Sequence, residues 1–197
     1  ALWRGMVVTK GAKAAAVKAA QTIIRLGDAG RYAKIQQTTG VPWFVTGLIH
    51  MRESNWNFAT WLHNGDPMRD RNGRPLKTVR VPAGRPPNPA VDFDAGAYDA
   101  FVTLKGFDKI KVWGAPIIAY INESYNGFGY RHPARNIPSP YLWGGTNRQK
   151  RGKFVADGVY DPNTWDTQLG VMAVLKEIIT AKGITLPQLA IAWVAAQ

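Results

Sequence analysis

Apolar residues recur at intervals of three and four positions along most of the chain, a pattern that predicts a mainly helical protein. The first segment is rich in alanine, which favours a helix that packs closely against its neighbours. A later helix opens at Pro42, since proline lacks an N–H and is tolerated in a first turn. The other predicted helices cover residues 11–26, 30–37, 92–104, 107–124, 163–182 and 186–196.

Residues 64–89 break this pattern and predict a small β-lobe inserted between helices. Asn72-Gly73 is a strong hairpin signal, and the alternating stretch LKTVRV (76–81) has the composition of a strand. A second irregular stretch covers residues 125–147, and loops of this length within compact domains usually serve a function. A turn is predicted over residues 155–161. The expected fold class is therefore α+β, mainly α, in a single domain over residues 1–197.

Glu53 stands out because it continues an apolar row at the end of the helix that opens at Pro42. Val45 and Ile49 precede it at four-residue spacing, so the three lie on one helix face. Burial against apolar groups and the negative end of the helix dipole both favour the protonated form of a carboxylic acid. Such an acid can protonate a leaving oxygen, as cleavage of a glycosidic bond requires. The alternative is an ordinary ion pair of Glu53 with Arg52, Arg131 or another cation.

Four sequence blocks, in the expected order, resemble a phage and bacterial group within the lysozyme-like superfamily. That superfamily includes phage endolysins, goose-type lysozymes and lytic transglycosylases. The blocks are IHMRESNWNFATWLHNGDP (49–67), TVRVPAGRPP (78–87), YNGFGYR (125–131) and SPYLWGGTN (139–147). The resemblance implies a lysozyme-like helical domain, with the β-lobe of about residues 64–89 beside an active-site cleft. It also implies that Glu53 is the general acid.

The resemblance implies roles for four further residues. Goose-type lysozymes carry a second carboxylate at a similar spacing, so Asp66 would hold a water for attack on the anomeric carbon; alternatively, it only builds the NGDP turn. Some phage lysozymes position water with a threonine on the second β-strand, which suggests Thr78; alternatively, Thr78 is a strand former on a solvated face. Tyr125 and Asn126 match the Tyr-Asn pair with which lytic transglycosylases line the glycan groove.

Other side chains in or beside these blocks are predicted to contact the substrate. They are Ser54, His63, Asn64, Tyr141 and Trp143, with a bond to the nearby loop as the alternative for His63. Aromatic rings stack on sugars and amides bind acetamido groups, although the same aromatic residues would also suit a hinge between lobes. His50, Glu53 and His63 have the residue types of a metal site but irregular spacing, so neither a metal nor another cofactor is expected.

The composition of the chain excludes several kinds of site and predicts where the protein acts. The 197 residues include no cysteine, which excludes disulfides, cysteine nucleophiles and cysteine-based zinc sites. No apolar run reaches the roughly 20 residues needed to span a bilayer, so no stable membrane insertion is expected. Lysines interrupt the alanine-rich residues 11–20, which therefore form no signal-peptide core. We expect synthesis in a host cytoplasm without a signal peptide, as for a phage protein, and action on the periplasmic or extracellular cell wall.

The formal net charge of +12 favours an anionic partner. Two basic clusters contribute to it: Arg69, Arg71, Arg74, Lys77, Arg80 and Arg85 in the β-lobe, and Arg148, Lys150, Arg151 and Lys153 further along. They fit an anionic cell wall, or they form a solvated face that keeps the protein soluble. No helix-turn-helix, RNA-recognition or zinc-finger pattern accompanies the charge, so nucleic acid is not the expected partner.

Residues and resemblance together predict a muramidase, a lysozyme or endolysin that degrades peptidoglycan as a monomer. The bond cut is the β-1,4 bond between N-acetylmuramic acid and N-acetylglucosamine. A lytic transglycosylase, which needs Glu53 alone and releases anhydro-muropeptides, is the alternative among enzymes. A non-catalytic glycan-binding or phage structural module is the alternative outside enzymes, and the intact Glu53 motif argues against it.

Overall fold

The computed structural model describes residues 5–150, 153–156, 159–161 and 168–183, with the backbone alone between 153 and 161. This described part is mainly helical, as the periodicity predicts. Its α-helices are α1 (Lys10–Asp28), α2 (Ala33–Thr39), α3 (Trp43–Ser54), α4 (Phe93–Tyr98), α5 (Ala115–Asn126), α6 (Pro140–Trp143) and α7 (Gln168–Ala181). A π-helix (Asp99–Leu104) continues α4, and 3-10 helices cover Phe107–Lys109 and Gly129–Arg131. None of these helices is long and apolar enough to cross a membrane.

The chain divides into two compact units. One contains Ala1–Ile24 and Val112–Gln197, and the other contains Arg25–Lys111. The single domain predicted over residues 1–197 stays a prediction.

The unit Arg25–Lys111 is built around α3, which begins after Pro42 at its N-cap. Residues 43–50 of this helix are all buried, as expected of a helix surrounded by other elements. Gly27 allows the Trp43 ring to pack closely, since a Cβ at Gly27 would lie 2.5 Å from the ring. The burial of such large side chains stabilises the unit by about 1.5–3 kcal/mol each.

The Asn72-Gly73 turn forms as predicted. The carboxylate of Asp70 accepts a hydrogen bond from the Asn72 N–H at 2.8 Å. Arg69 and Pro75 form an isolated bridge across this turn. The turn chemistry read from the sequence is therefore confirmed, although no extended strands flank it.

The strand predicted over residues 76–81 is wrong, and the β-lobe of 64–89 is a lobe of turns and isolated bridges. The N–H groups of Val79 and Arg80 donate to Asp66 Oδ2, at 2.8 and 2.9 Å. These donors are therefore not available to a neighbouring strand. Prolines at positions 75, 82, 86 and 87 lack an N–H altogether.

The helix predicted over residues 107–124 is wrong in its first half. Phe107–Lys109 forms only a 3-10 turn, and α5 begins at Ala115 with Gly114 as its N-cap. Pro116 lies in the first turn of α5. Proline is favoured there and disrupts a helix interior, which explains why the helix starts at this point and does not run through it.

Further along, strands β1 (Lys153–Ala156) and β2 (Val159–Asp161) pair antiparallel where a turn was predicted over 155–161. The helix α7 ends before Gly183, whose φ of +72° confirms the predicted C-cap. The predicted start of this helix at Asn163 and the helix over 186–196 lie outside the described residues.

Candidate active site around Glu53

Glu53 lies in the last turn of α3, at the end of its predicted apolar row. Val45 and Ile49 are fully buried, whereas the Glu53 side chain keeps 16% of its surface exposed. The chain leaves the helix through Asn55 and Trp56, which adopt left-handed φ angles of 51° and 60°. Asparagine is a usual residue at such a C-cap, whereas for a bulky residue such as Trp56 the left-handed conformation costs about 1–2 kcal/mol. Such strain clusters at functional sites, and here it directly follows the candidate acid.

Arg52 holds one oxygen of the Glu53 carboxylate. Its Nε donates to Glu53 Oε1 at 2.8 Å, and its Nη2 lies 2.7 Å from the same oxygen. The Arg52 side chain is only 2% exposed, so the pair is buried on the arginine side and open on the glutamate side. The ion pair that the sequence left open as an alternative is therefore present. Beside it, the half-buried Ser54 donates its hydroxyl hydrogen to Asn57 O at 3.4 Å.

Lys105 brings a second cation towards Glu53. It follows the π-helix Asp99–Leu104, and its N–H bonds to Val102 O. Burial and the charge of Arg52 lower the pKa of Lys105, and the Glu53 carboxylate opposes this change. π-Helices are rare and often lie at functional sites. No motif or spacing in the sequence marks Lys105, which is distant from Glu53 along the chain.

Gly65 contacts the backbone of Glu53 directly. Its φ is +76°, and a Cβ at this position would lie 2.2 Å from the Glu53 carbonyl oxygen. The Gly65 N–H donates to Trp61 O at 2.8 Å, and the Trp61 N–H donates to Asp66 O at 2.8 Å. The NGDP segment therefore braces the last turn of α3 through a contact that only glycine allows.

The Asp66 carboxylate is buried and engaged by its own loop. Its Oδ2 accepts from the N–H groups of Val79 and Arg80 and from Asn64 Nδ2 at 3.1 Å. Its Oδ1 accepts from Arg80 Nε at 2.6 Å. Burial raises the pKa of Asp66, but the hydrogen bonds from Arg80 and Val79 and the charge of Arg80 outweigh burial and lower it. A carboxylate has roughly four acceptor positions, so these bonds favour the turn-building interpretation over a water-holding role.

Thr78 and Asn64 also serve this loop. The Thr78 hydroxyl donates to Pro82 O and accepts from the Arg85 N–H at 2.9 Å, and the residue is 4% exposed. The Asn64 amide donates to Arg80 O at 2.9 Å. The described geometry therefore favours loop bracing for both, over water positioning by Thr78 or an acetamido contact by Asn64.

His63 is buried below the surface of the same unit. Its side chain has no exposed area, and its Nε2 lies 2.9 Å from Asp99 Oδ2. Arg85 binds the same carboxylate through Nε at 2.9 Å and through Nη2. Burial lowers the pKa of His63, and Asp99 opposes this change. The network ties the loop to the start of the π-helix, so His63 supports the loop and is not open to a sugar hydroxyl.

His50 is buried in α3, one turn before Glu53. Its Nδ1 lies 3.0 Å from the Tyr32 hydroxyl, and its Nε2 lies 3.2 Å from Asn57 O. Both ring nitrogens thus have protein partners. Within the described part of the chain, no three histidine or carboxylate side chains form a group suited to a metal ion.

Acid should destabilise the protein through His50. Burial, opposed by the Asn57 bond, lowers the pKa of His50 to about 4, against about 6.5 in the unfolded chain. Between these values the unfolded state binds more protons than the folded state. The contribution of His50 to the free energy of unfolding is therefore fully present above about pH 6.5. It should fall by about 3 kcal/mol as the pH drops from about 6.5 to about 4. Denaturant titrations at a series of pH values measure this loss.

Two variants separate His50 from the other titrating groups. His50→Asn should flatten this part of the profile, and His132→Asn should leave it unchanged because His132 is exposed. His63 adds a residual loss in the same direction, since its pKa is also lowered. Parallel profiles for wild type and His50→Asn would contradict the assignment.

The remaining predicted substrate residues lie on the unit that contains α5 and α6. Tyr125 is buried near the end of α5, and Asn126 is exposed beside it. Trp143 is 8% exposed, and the half-buried Tyr141 packs edge-on against Tyr130 with ring centroids 5.8 Å apart. Asn126 and Tyr141 are therefore accessible, while Tyr125 and Trp143 are mostly core residues.

The basic clusters are partly used within the protein. Arg80 and Arg85 pair with aspartates, and Arg69 Nη1 donates to Gly73 O at 2.9 Å. Other residues of the first cluster are exposed and form no ion pair with a carboxylate in the described part of the chain. They include Arg71, Arg74 and Lys77. In the second cluster, Arg151 and the side chain of Lys153 lie outside the described residues.

Comparisons of the chain with protein-family models, with curated proteins and with solved structures find no match.

Proposed function

We propose that the protein is a muramidase that cleaves the β-1,4 bond between N-acetylmuramic acid and N-acetylglucosamine in peptidoglycan, with Glu53 as general acid. One observation carries the proposal. A carboxylate with 16% exposure is held at the end of an apolar helix by an arginine with 2% exposure. Arg52 orients one oxygen, and its charge favours the carboxylate form; the general-acid role therefore requires that Glu53 takes up a proton before it protonates the leaving oxygen of a glycan. Clearing of a suspension of purified peptidoglycan tests the proposal.

The surroundings of Glu53 support this role because they hold its position. Gly65 braces the Glu53 carbonyl, and Asn55 and Trp56 turn the chain away directly after the helix. A catalytic group acts best when its supporting residues fix it before the substrate arrives.

A lytic transglycosylase is the second candidate, and the hydrogen bonds that occupy the Asp66 carboxylate favour it. Hydrolysis needs a group that activates water for attack at the anomeric carbon of the broken glycosidic bond. The sequence analysis predicted Asp66 for this role. The loop already supplies four hydrogen bonds to that carboxylate. In a transglycosylase the muramic 6-hydroxyl attacks C1 of the same sugar, its proton passes to the Glu53 carboxylate, and a 1,6-anhydro end results. No second carboxylate is required.

Asp66→Asn should lower the melting temperature but keep most of the specific activity at temperatures well below melting. The substitution removes the charge that pairs with Arg80, which weakens the loop and leaves Glu53 intact. Clearing rates and thermal unfolding measured on the same preparation separate the two effects.

Mass spectrometry of the digest completes this test. Asp66→Asn is expected to give the same muropeptide ends as the wild type, because Asp66 takes no part in the reaction. A folded Asp66→Asn protein that has lost activity would instead show that Asp66 activates water. Reducing-end muramic acid in the wild-type digest identifies hydrolysis, and the anhydro form, lighter by one water, identifies transglycosylation.

A further inference from the structure

Two aromatic side chains are exposed next to each other on the unit that contains α5. Tyr120 on α5 is 52% exposed, and Phe128 beyond its end is 38% exposed. Their ring centroids lie 5.4 Å apart with planes inclined by 36°. We call these two residues the aromatic pair. Burial of such a ring stabilises a protein, and the fold leaves two neighbouring rings partly in solvent.

An arginine that is paired with a buried carboxylate contacts the aromatic pair through Phe128. The Arg131 guanidinium lies 4.7 Å from the centroid of the Phe128 ring, in a cation–π contact. Its Nε and Nη2 donate to the two carboxylate oxygens of Glu123, at 2.9 and 2.5 Å. The Glu123 side chain is only 7% exposed. These hydrogen bonds raise the pKa of Arg131, which therefore stays charged and in place.

The same ion pair indicates the chemistry of the ligand. Glu123 neutralises the charge of Arg131, so the guanidinium that contacts Phe128 is already paired and does not select a polyanion, although the chain as a whole has a net charge of +12. Aromatic faces offer a flat apolar surface with a negative quadrupole. The face of a pyranose ring that bears only C–H groups is apolar and slightly positive, and it complements such a surface. An exposed amide, Asn126, lies between the two aromatic residues in sequence and can bond to an acetamido group.

We propose that the aromatic pair is a binding site for neutral N-acetylglucosamine units of a β-linked glycan strand. This inference rests on the proposed function for the identity of the strand. It differs from the sequence prediction, which selected Tyr125, Tyr141 and Trp143 as aromatic contacts of the glycan. Tyr125 and Trp143 are each 8% exposed, whereas the rings of Tyr120 and Phe128 are open to a ligand.

Isothermal titration with chitohexaose, a neutral oligomer of N-acetylglucosamine, tests the site. Each protein carries Glu53→Gln so that no cleavage consumes the ligand. Tyr120→Ala and Phe128→Ala should each raise the Kd roughly two- to tenfold, since one aromatic contact contributes ~0.5–1.5 kcal/mol. Tyr120→Phe should retain the affinity because it keeps the stacking face. Tyr98→Ala is the matched control, because Tyr98 is 43% exposed and lies on the other unit.

The outcomes separate this inference from the proposed function. Affinity unchanged in folded Tyr120→Ala and Phe128→Ala proteins, or absent in the Glu53→Gln parent, would overturn the site. An equal loss in Tyr98→Ala would also overturn it. Affinity that falls steeply between low salt and 1 M salt would contradict a neutral ligand, since charge-based binding is screened there. Failure of the proposed function has a different signature, namely wild-type protein that binds chitohexaose at the aromatic pair but does not cleave peptidoglycan.

Discussion

The Glu53→Gln variant is expected to lose about 10²–10⁴-fold in the rate of peptidoglycan clearing while it keeps its fold. Glutamine has the same shape but no acidic proton to give to the leaving oxygen. Its amide oxygen can still accept the hydrogen bond from Arg52 Nε, which is 2.8 Å away from the carboxylate. The buried guanidinium therefore keeps a hydrogen-bond partner but loses its counter-charge, so the free energy of unfolding should fall, and the clearing rates are compared at a temperature where both proteins are folded. Turbidity of purified peptidoglycan measures the rate, and circular dichroism measures the fold.

Glu177→Gln is the matched control for this prediction. Glu177 lies on α7, is exposed and undergoes the same chemical change. It should clear peptidoglycan at the wild-type rate. If folded Glu53→Gln protein clears as fast as Glu177→Gln, Glu53 is not the acid.

Gly65→Ala should have the second large effect, on stability and activity together. Alanine at φ +76° costs about 1–2 kcal/mol from the left-handed backbone alone. Its Cβ would also lie 2.2 Å from the Glu53 carbonyl oxygen, an overlap that backbone movement must relieve. Forced overpacking of this kind costs a further ~1–3 kcal/mol. Because the displaced atom belongs to Glu53, the clearing rate of the protein that remains folded should fall as well.

Gly73→Ala separates backbone strain from the contact with Glu53. Gly73 has the same φ of +76°, but a Cβ there would meet nothing within 4 Å. We expect Gly73→Ala to lower the melting temperature by a few degrees and to leave the clearing rate unchanged. Equal losses of stability and activity in the two variants would show that Gly65 does not brace Glu53.

Local patterns predicted most of the helices, and the position of Glu53 at the end of one of them, because those signals are contained within a few turns of chain. The apolar row of Val45 and Ile49 leads to Glu53 in the structure as in the sequence. Arg52 was among the predicted partners of Glu53, and the two are adjacent in the chain. The Asn72-Gly73 turn likewise follows from the conformational preferences of its own residues.

The sequence prediction failed where a distant side chain replaced a backbone partner. Residues 76–81 alternate like a strand, but the Asp66 carboxylate takes the N–H groups that would pair with a second strand. The same bonds occupy Asp66, the residue predicted to hold water. Spacing alone cannot distinguish a carboxylate that faces a substrate from one that closes its own loop.

Other features of the site depend on contacts between parts of the chain that lie far apart in sequence. The contact of Gly65 with Glu53, the position of Lys105 and the bond of His63 to Asp99 all belong to this group. Histidine and glycine are common residues, and nothing in their immediate sequence surroundings marks these roles. The buried His63 illustrates the consequence, since the sequence left open a bond to the nearby loop or to a sugar hydroxyl, and only the structure shows its bond to Asp99.

Chemical analysis of the glycan ends released from purified peptidoglycan tests the central claim most directly. The wild-type protein should release fragments that end in muramic acid, in the reducing or the 1,6-anhydro form, and Glu53→Gln should release almost none. Intact glycan strands after prolonged incubation with folded wild-type protein would contradict the claim. So would muramic ends produced equally well by the Glu53→Gln variant.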